Sequence, residues 1–173
     1  MKRMRTLLWF VAATILTFLL ANSGFAFQNE PEDFRGVKWG DRPTEDMVYY
    51  GSLGGNARGY TRPYDKMRLG DAKGFYRIVY MFYDVPGRFW SVCLYFKGKR
   101  TFDQLKLICR GKFGEETKEG FYSLYWEGQQ TIIRLEYDII EGVGELDLRH
   151  VEIWREWSKA KQQEEAEKAE GDW

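Results

Sequence analysis

The first pattern along the chain is an almost unbroken apolar run that is too short to span a membrane. It covers residues 7–20, follows the basic side chains of Lys2, Arg3 and Arg5, and is followed by Gly24-Phe25-Ala26. The run is about 14 residues long, whereas a spanning helix needs about 20. Small residues at the −3 and −1 positions then predict a cleaved signal peptide over residues 1–26. The alternative is an uncleaved signal anchor.

In the second half of the chain, apolar and polar residues alternate in segments typical of β-strands. A strand over 75–83 and a strand over 88–96 are separated by a Pro-Gly turn, which predicts a hairpin. Three further strands follow in meander order, over residues 121–126, 131–137 and 145–149. In the middle one Arg134 and Glu136 alternate with apolar neighbours, so one face of the sheet is expected to meet water.

Two segments instead carry apolar residues at helical spacing. The first covers 101–113, with Thr101 as the expected N-cap and Gly114 as the C-terminal stop. Its apolar stripe consists of Phe102, Leu105, Ile108, Cys109 and Phe113. The second covers 153–170, where an apolar side ends by Ala160 and solvated charge follows.

The first half is patterned less regularly. We expect a flexible lead-in over 27–33, a strand over 34–40 and one or two helical turns over 43–47. A strand over 48–52, a glycine-rich turn over 51–59 and a sheet-edge strand over 60–66 follow, the last interrupted by Pro63.

Consecutive strands with helices between the runs predict an α+β domain with an antiparallel sheet packed by one or two helices. The domain is expected over residues 34–158, with a charged helical or disordered tail over 159–173. A second prediction is a repeated helix-then-strands unit, with one helix near Thr44 and the other near Thr101.

Composition narrows the class of protein. The whole chain carries 26 basic and 26 acidic residues, and all three charges of the leader are basic. The mature protein is therefore slightly acidic, which argues against nucleic acid and against an anionic membrane surface as partners. Aromatic residues make up 17% of the chain, which favours a core built from strands.

A short motif at the start of the domain carries a resemblance. Residues 34–40 read Phe-Arg-Gly-Val-Lys-Trp-Gly. Four further segments, at 60–63, 78–83, 89–98 and 125–128, contribute to the same resemblance. The chain resembles a family of small exported bacterial proteins of unknown activity that begin F-x-G-[IV]-K-W-G after a signal peptide. The resemblance implies export and an antiparallel α+β domain. The order of elements is also similar to that of small envelope proteins and enzyme-inhibitor domains, which implies no site.

Catalytic patterns are scarce. His150 is the one histidine, and it is expected at the rim of the sheet. The sequence contains no HExxH zinc motif and no G-x-S-x-G nucleophile elbow, so we predict no metal, no cofactor and no enzyme. Glu136 and Asp138 share a strand face, where a hydrolase could use paired carboxylates, but Arg134 is placed to pair with them.

Two cysteines in an exported chain suggest a disulfide between Cys93 and Cys109. Cys93 lies roughly 10 Å from the end of its strand. Cys109 lies roughly 12 Å into its helix, so the two would sit at similar heights. Parity argues against the bond, because Cys93 points away from the more apolar strand face formed by Trp90, Val92, Leu94 and Phe96. Two buried free thiols are the alternative.

The remaining candidates are aromatic surfaces. One sheet face is predicted to present Phe89, Ser91, Cys93 and Tyr95 beside Phe121, Ser123 and Tyr125. Such a platform could hold a peptide, a glycan or a protein, unless a helix covers it. The C-terminal helix offers Trp154 and Trp157, either docked on the sheet or free for a partner.

The expected function is therefore a non-catalytic binding protein of the cell envelope, periplasmic or secreted. The alternatives are an envelope hydrolase that uses carboxylates and an inhibitor of an exported enzyme.

Overall fold

The computed structural model describes residues 27–170, and the predicted leader with its cleavage position lies outside them. Twelve strands and two helices form within this range. The strands are β1 (Asp33–Phe34), β2 (Val37–Lys38), β3 (Val48–Gly54), β4 (Ala57–Thr61), β5 (Arg68–Leu69), β6 (Ala72–Lys73), β7 (Phe75–Tyr83), β8 (Arg88–Lys97), β9 (Lys118–Glu119), β10 (Ser123–Glu127), β11 (Thr131–Asp138) and β12 (Val143–His150). The helices are α1 (Lys99–Phe113) and α2 (Val151–Glu170).

Eight of the strands form one antiparallel sheet in the order β3-β4-β7-β8-β12-β11-β10-β9. The predicted β7–β8 hairpin and the β10–β11–β12 meander are both present, and β12 pairs with β8 to join them. The α+β class with an antiparallel sheet is therefore confirmed. Two separate two-stranded ladders, β1–β2 and β5–β6, complete the strands of the described range.

One face of the sheet, here called the core face, carries the hydrophobic core. Helix α1 packs on it through a buried stripe that includes Phe102, Leu105, Cys109 and Phe113. The strands contribute large side chains that are fully buried, among them Tyr80, Phe82, Phe89, Phe96, Leu124, Trp126, Ile133 and Leu135. Burying this much apolar surface is the main favourable contribution to folding.

The start of α1 differs from the prediction. The helix begins at Lys99 after Gly98, so Thr101 lies within the first turn and does not cap it. Its hydroxyl donates instead to the carbonyls of Lys97 (2.9 Å) and Lys73 (2.7 Å), which ties the helix to β6. The predicted stop is confirmed, because Gly114 follows the helix with φ of 85°.

The expected strand over 34–40 is a small hairpin. Arg35 and Gly36 both have positive φ, and the turn they form reverses the chain between β1 and β2. The helical turns expected over 43–47 are also absent from the structure. A single hydrogen bond from the Met47 N–H to the Thr44 carbonyl closes a turn that leads into β3. The predicted repeat therefore lacks its first helix.

The glycine-rich segment is mostly strand. β3 continues through Gly54, and a tight turn at Gly55-Asn56, both with positive φ, leads into β4. Of the strand predicted over 60–66, only residues 60–61 belong to β4, and β4 lies between β3 and β7, so the predicted edge position is wrong. Pro63 follows the end of β4 and interrupts no ladder.

Residues 27–33, expected to be a flexible lead-in, lie against the domain. The Gln28 N–H donates to the Phe113 carbonyl at 3.0 Å, and Phe27 packs edge-on against the Phe113 ring. The Glu30 carboxylate accepts three backbone N–H bonds, from Gln129, Gln130 and Thr131. A carboxylate that satisfies three otherwise unpaired donors fixes the approach of this segment.

Helix α2 continues to Glu170, so the charged tail is helical over the part that the structure describes. No helix within residues 27–170 has both the length and the apolar character needed to cross a bilayer.

Candidate functional site

A bulge in β8 reverses the faces of the sheet that were predicted for Phe89 and Trp90. Met81 is opposite Ser91 and Phe82 is opposite Phe89, so Trp90 is an extra residue in the ladder. Phe89 is consequently buried in the core, and the predicted platform loses it. Trp90, predicted on the apolar face, lies on the opposite face, where it stacks on Trp157 of α2.

This second face, here called the open face, carries a polar lattice across five strands. Register places Arg77, Tyr95, Glu145, Glu136 and Ser123 in one row, from β7 to β10. The adjacent row consists of Val79, Cys93, Asp147, Arg134 and Tyr125. Of the predicted platform, Ser91, Cys93, Tyr95, Ser123 and Tyr125 therefore do share one face.

Arg134 is the centre of the charges on the open face. Its guanidinium contacts the Glu145 carboxylate, lies 3.4 Å from Glu136 and lies 3.9 Å from Asp147. Asp147 is buried, and it also accepts hydrogen bonds from the Ser91 hydroxyl (2.7 Å) and from Arg149. The carboxylates of this face, which are the candidates for a catalytic pair, are therefore each paired with an arginine. Burial lowers the pKa of Arg149, although its charge is retained in this ion pair.

Tyr125 belongs to the same network rather than to a free surface. Its hydroxyl donates to Glu136 at 2.7 Å, and this bond is the main reason why the pKa of Tyr125 is raised. The phenol is half-buried and held across the β10–β11 ladder. Its hydroxyl is therefore already used within the protein.

Beside this network lies an open groove of about 810 Å³ at the end of the sheet that carries the β11–β12 turn. Its walls are mostly aromatic and aliphatic, and its lining residues are Tyr76, Tyr95, Phe121, Tyr122, Ser123, Glu136, Tyr137, Asp138, Ile139, Ile140, Val143, Gly144 and Glu145. Phe121 is 89% exposed and Ile140 is 93% exposed. Exposed large apolar side chains that converge on one groove indicate a contact surface.

Two rings of the groove also hold a cation of the protein itself. The Arg77 guanidinium lies 5.1 Å from the centre of the Tyr95 ring and 5.6 Å from that of Tyr76. A third ring, Tyr50, lies at 5.5 Å. Burial raises the pKa of the Tyr95 hydroxyl, which therefore remains protonated at neutral pH.

The other predicted surface, on α2, is docked on the sheet. Trp157 stacks on Trp90 with ring centres 4.8 Å apart, and its indole N–H donates to the Gly54 carbonyl at 3.1 Å. Trp154 is half-buried, with the Arg149 guanidinium 5.4 Å from its ring. Of the two predicted alternatives for this helix, the structure shows the docked one.

The two thiols lie on opposite sides of the sheet and are not bonded. Cys93 is on the open face, whereas Cys109 is on the buried stripe of α1 against the core face. The predicted disulfide is therefore absent. The reason is the one given by the alternation of β8, which directs Cys93 away from the face on which α1 packs. Burial raises the pKa of each thiol to about 12, and for Cys93 the Glu145 carboxylate adds to the effect.

His150 closes β12 at the rim of the sheet, as predicted. Its Nδ1 accepts a hydrogen bond from the Ile153 N–H at 3.5 Å, at the start of α2, and its ring lies 6.2 Å from that of Trp39. Partial burial lowers its pKa. Within residues 27–170, no group of three His, Cys, Asp or Glu side chains is placed to hold a metal ion.

Sequence reasoning missed Tyr76, Tyr137 and the Ile139-Ile140 pair as groove residues. The isoleucines had a local signal, because two consecutive aliphatic residues stand in a turn between Asp138 and Glu141. Such residues are costly to expose unless a partner covers them. Tyr76 and Tyr137 had no such signal, because their place depends on how distant strands pair.

No family profile, curated protein or solved structure matches this chain. The resemblance to small exported proteins accordingly stays a prediction.

Proposed function

We propose that this protein is a non-catalytic binding protein of the cell envelope, exported to the periplasm or secreted, and that the groove beside the β11–β12 turn is its binding site. The observation that carries the proposal is the convergence of exposed Phe121 and Ile140 with Tyr76 and Tyr95 on one groove. These residues come from separate strands and loops, so a single surface has been assembled from distant parts of the chain.

The chemistry of the walls favours a protein or peptide partner over a glycan. Aromatic rings suit both, because sugars and apolar side chains each stack on them. The wall formed by Ile139, Ile140 and Val143 is aliphatic, however, and it offers no ring face and no hydrogen-bonding side chain to a sugar. An aliphatic wall is instead complementary to apolar side chains of a polypeptide.

The ion pairs favour binding over hydrolysis. A glycosidase-type acid needs a carboxyl group kept protonated by an apolar pocket. Here Glu136 and Glu145 are each paired with Arg134 on a partly exposed face, and neither is enclosed in such an apolar pocket. If the bound partner is an exported enzyme, this proposal becomes the inhibitor hypothesis.

Site-specific photo-crosslinking in the native host tests the proposal. A photoreactive phenylalanine analogue replaces Phe121 in the full chain, and the matched control replaces Tyr64, which is 97% exposed beside a different cleft. We expect a discrete crosslinked partner at position 121 and none at position 64. The partner is then identified by mass spectrometry and its binding is reproduced with purified components.

Identical product patterns at both positions, or no product at position 121, would refute a binding groove.

The intact mass of the same purified protein tests export separately, because removal of residues 1–26 leaves a chain that begins at Phe27.

A further inference from the structure

The charged residues that line the groove are all acidic. They are Glu136, Asp138 and Glu145, and Phe121 and Ile140 are among the apolar residues on its walls. A groove that combines carboxylates with exposed apolar side chains is complementary to a ligand that is both cationic and apolar.

The acidic charge is only partly neutralised by the protein. One guanidinium, that of Arg134, is shared among Glu136, Glu145 and the buried Asp147. Arg149 pairs with Asp147 and not with the two glutamates of the groove. Asp138, which is exposed, uses its Oδ1 to accept the N–H groups of Ile140 and Glu141 (2.8 and 3.0 Å).

The nearby basic residues do not line the groove. Arg77 and Lys97 instead lie against aromatic rings, with the Lys97 ammonium 5.4 Å from the Tyr76 ring centre. Arg77 also shows that the rings of Tyr76 and Tyr95 accept a cation. Because Arg77 and Lys97 already lie over these rings, the attraction for an entering cation comes from the carboxylates of the groove.

We infer that the groove binds a peptide segment of a partner protein in which a lysine or arginine stands beside an aliphatic or aromatic residue. The inference rests on the proposed function and specifies the chemistry of the partner. The basic side chain lies against Glu136 and Glu145, and the apolar side chain contacts Phe121 and Ile140. The attraction between charges should also make the affinity fall as salt is raised.

Synthetic peptides test this chemistry on the purified full chain. The probe is a short peptide in which one lysine beside one leucine is flanked by glycine and serine, and its counterparts replace the lysine by glutamate or by serine. A neutral oligosaccharide is the fourth ligand. Binding is measured by isothermal titration calorimetry at low and at high salt.

Two substitutions are matched for charge. Glu136→Gln removes a carboxylate that lines the groove, whereas Glu141→Gln removes one from the adjacent turn, outside the lining. We expect the lysine peptide to bind most tightly, Glu136→Gln to weaken it about fivefold and Glu141→Gln to leave it unchanged within about twofold.

The outcomes separate this inference from the proposed function. Equal affinity for the lysine and glutamate peptides, or equal effects of the two substitutions, overturns the cationic specificity and leaves the groove as a binding site. Binding of the oligosaccharide alone, or of no peptide despite a crosslinked partner at position 121, also overturns it. Loss of both the crosslink and all peptide binding refutes the groove altogether.

Discussion

The two faces of the central sheet are built from the same strands but have opposite chemistry. On β10, Trp126 points to the core face, where it is fully buried and donates its indole N–H to the Gly114 carbonyl at 2.8 Å. Its neighbour Tyr125 points to the open face, where it is half-buried and bonded to Glu136. Because successive side chains of a strand point to opposite faces, neighbouring residues of β10 belong to the apolar core and to the charged lattice.

This difference separates the side chains that stabilise the fold from those of the proposed binding groove. The core face is covered by α1, and its apolar contacts are unavailable to any partner. The open face is covered by α2 around Gly54, Trp90 and Arg149, whereas carboxylates, guanidinium groups and the aromatic groove lie on the other part of this face. Substitutions on the core face should therefore affect folding, and those around the groove should affect binding.

The largest expected effect compares Trp126 with Tyr125. Trp126→Ala should lower the free energy of unfolding by about 4 kcal/mol, because it leaves a large cavity in the core. Tyr125→Ala should lower it by about 1 kcal/mol, since it removes a half-buried ring and one hydrogen bond. Urea denaturation measures both, with Tyr125→Phe as the control that loses the hydroxyl alone. Equal losses at the two positions would contradict the division between the faces.

Asp147 is a buried position on the open face that should behave like the core. Asp147→Ala should cost about 3 kcal/mol, because it leaves Arg149 and the Ser91 hydroxyl without their buried acceptor. Glu136→Gln, at a more exposed position, should cost less than about 1 kcal/mol. The same denaturation curves compare them, and Asp147→Asn should lie between the two. If Asp147→Ala were as mild as Glu136→Gln, the lattice would have no structural role.

The covered part of the open face depends on Trp157. Trp157→Ala should cost about 2 kcal/mol, because it removes the stack on Trp90 and the bond to Gly54. Trp154→Ala, whose ring contacts Arg149, should cost about half as much. Hydrogen exchange provides the readout: Trp157→Ala should deprotect α2 while β10 and β11 keep their protection. Unchanged exchange in α2 would show that the helix docks through other contacts.

A smaller effect concerns an ion pair at the end of α1. The hydrogen bond from Arg110 lowers the pKa of Glu116 from 4.5 to about 2. A depressed folded-state pKa stabilises the protein above about pH 4.5, and that stabilisation is lost as the pH falls towards 2. Glu116→Gln should therefore be less stable than wild type at neutral pH, with a difference that disappears near pH 2. Urea midpoints across this range test it, and Glu115→Gln is the control for an 81% exposed carboxylate that lies 3.2 Å from the same arginine.

The smallest effect is on the thiols, one of which lies against each face. Since burial raises the pKa of Cys93 and Cys109 to about 12, neither should react with iodoacetamide in the native protein at mildly alkaline pH. Both should react in concentrated urea without reductant. Intact mass counts the added groups, and a native chain that required reductant before alkylation would restore the disulfide hypothesis.

Much of the fold followed from local patterns. The β7–β8 hairpin, the meander of β10 to β12 and both helices were all predicted, because alternation and helical spacing are properties of neighbouring residues. The helical turns near Thr44 were predicted wrongly. There the side chain of Arg62, distant in sequence, bonds Thr44 and Asp46 and holds the segment as a turn.

The candidate site was predicted only in part. Tyr95, Phe121 and Ser123 do line one groove, as expected of the platform. Phe89 does not, because the bulge at Trp90 reverses the alternation, and a bulge is set by the pairing of β8 with β7 rather than by β8 alone. The polar lattice likewise needed the register of five strands.

The local order of side chains was sufficient for the fold class, the positions of the long strands of the second half and the two helices, since each depends on contacts along a short stretch of chain. Long-range packing decided which aromatic residue faces the core, on which side of the sheet each cysteine lies, and that the segments around Tyr76, Tyr95, Phe121 and Ile140 meet in one groove. These features depend on strand register and on bulges, whose free energy comes from the whole sheet and is not encoded in any single segment.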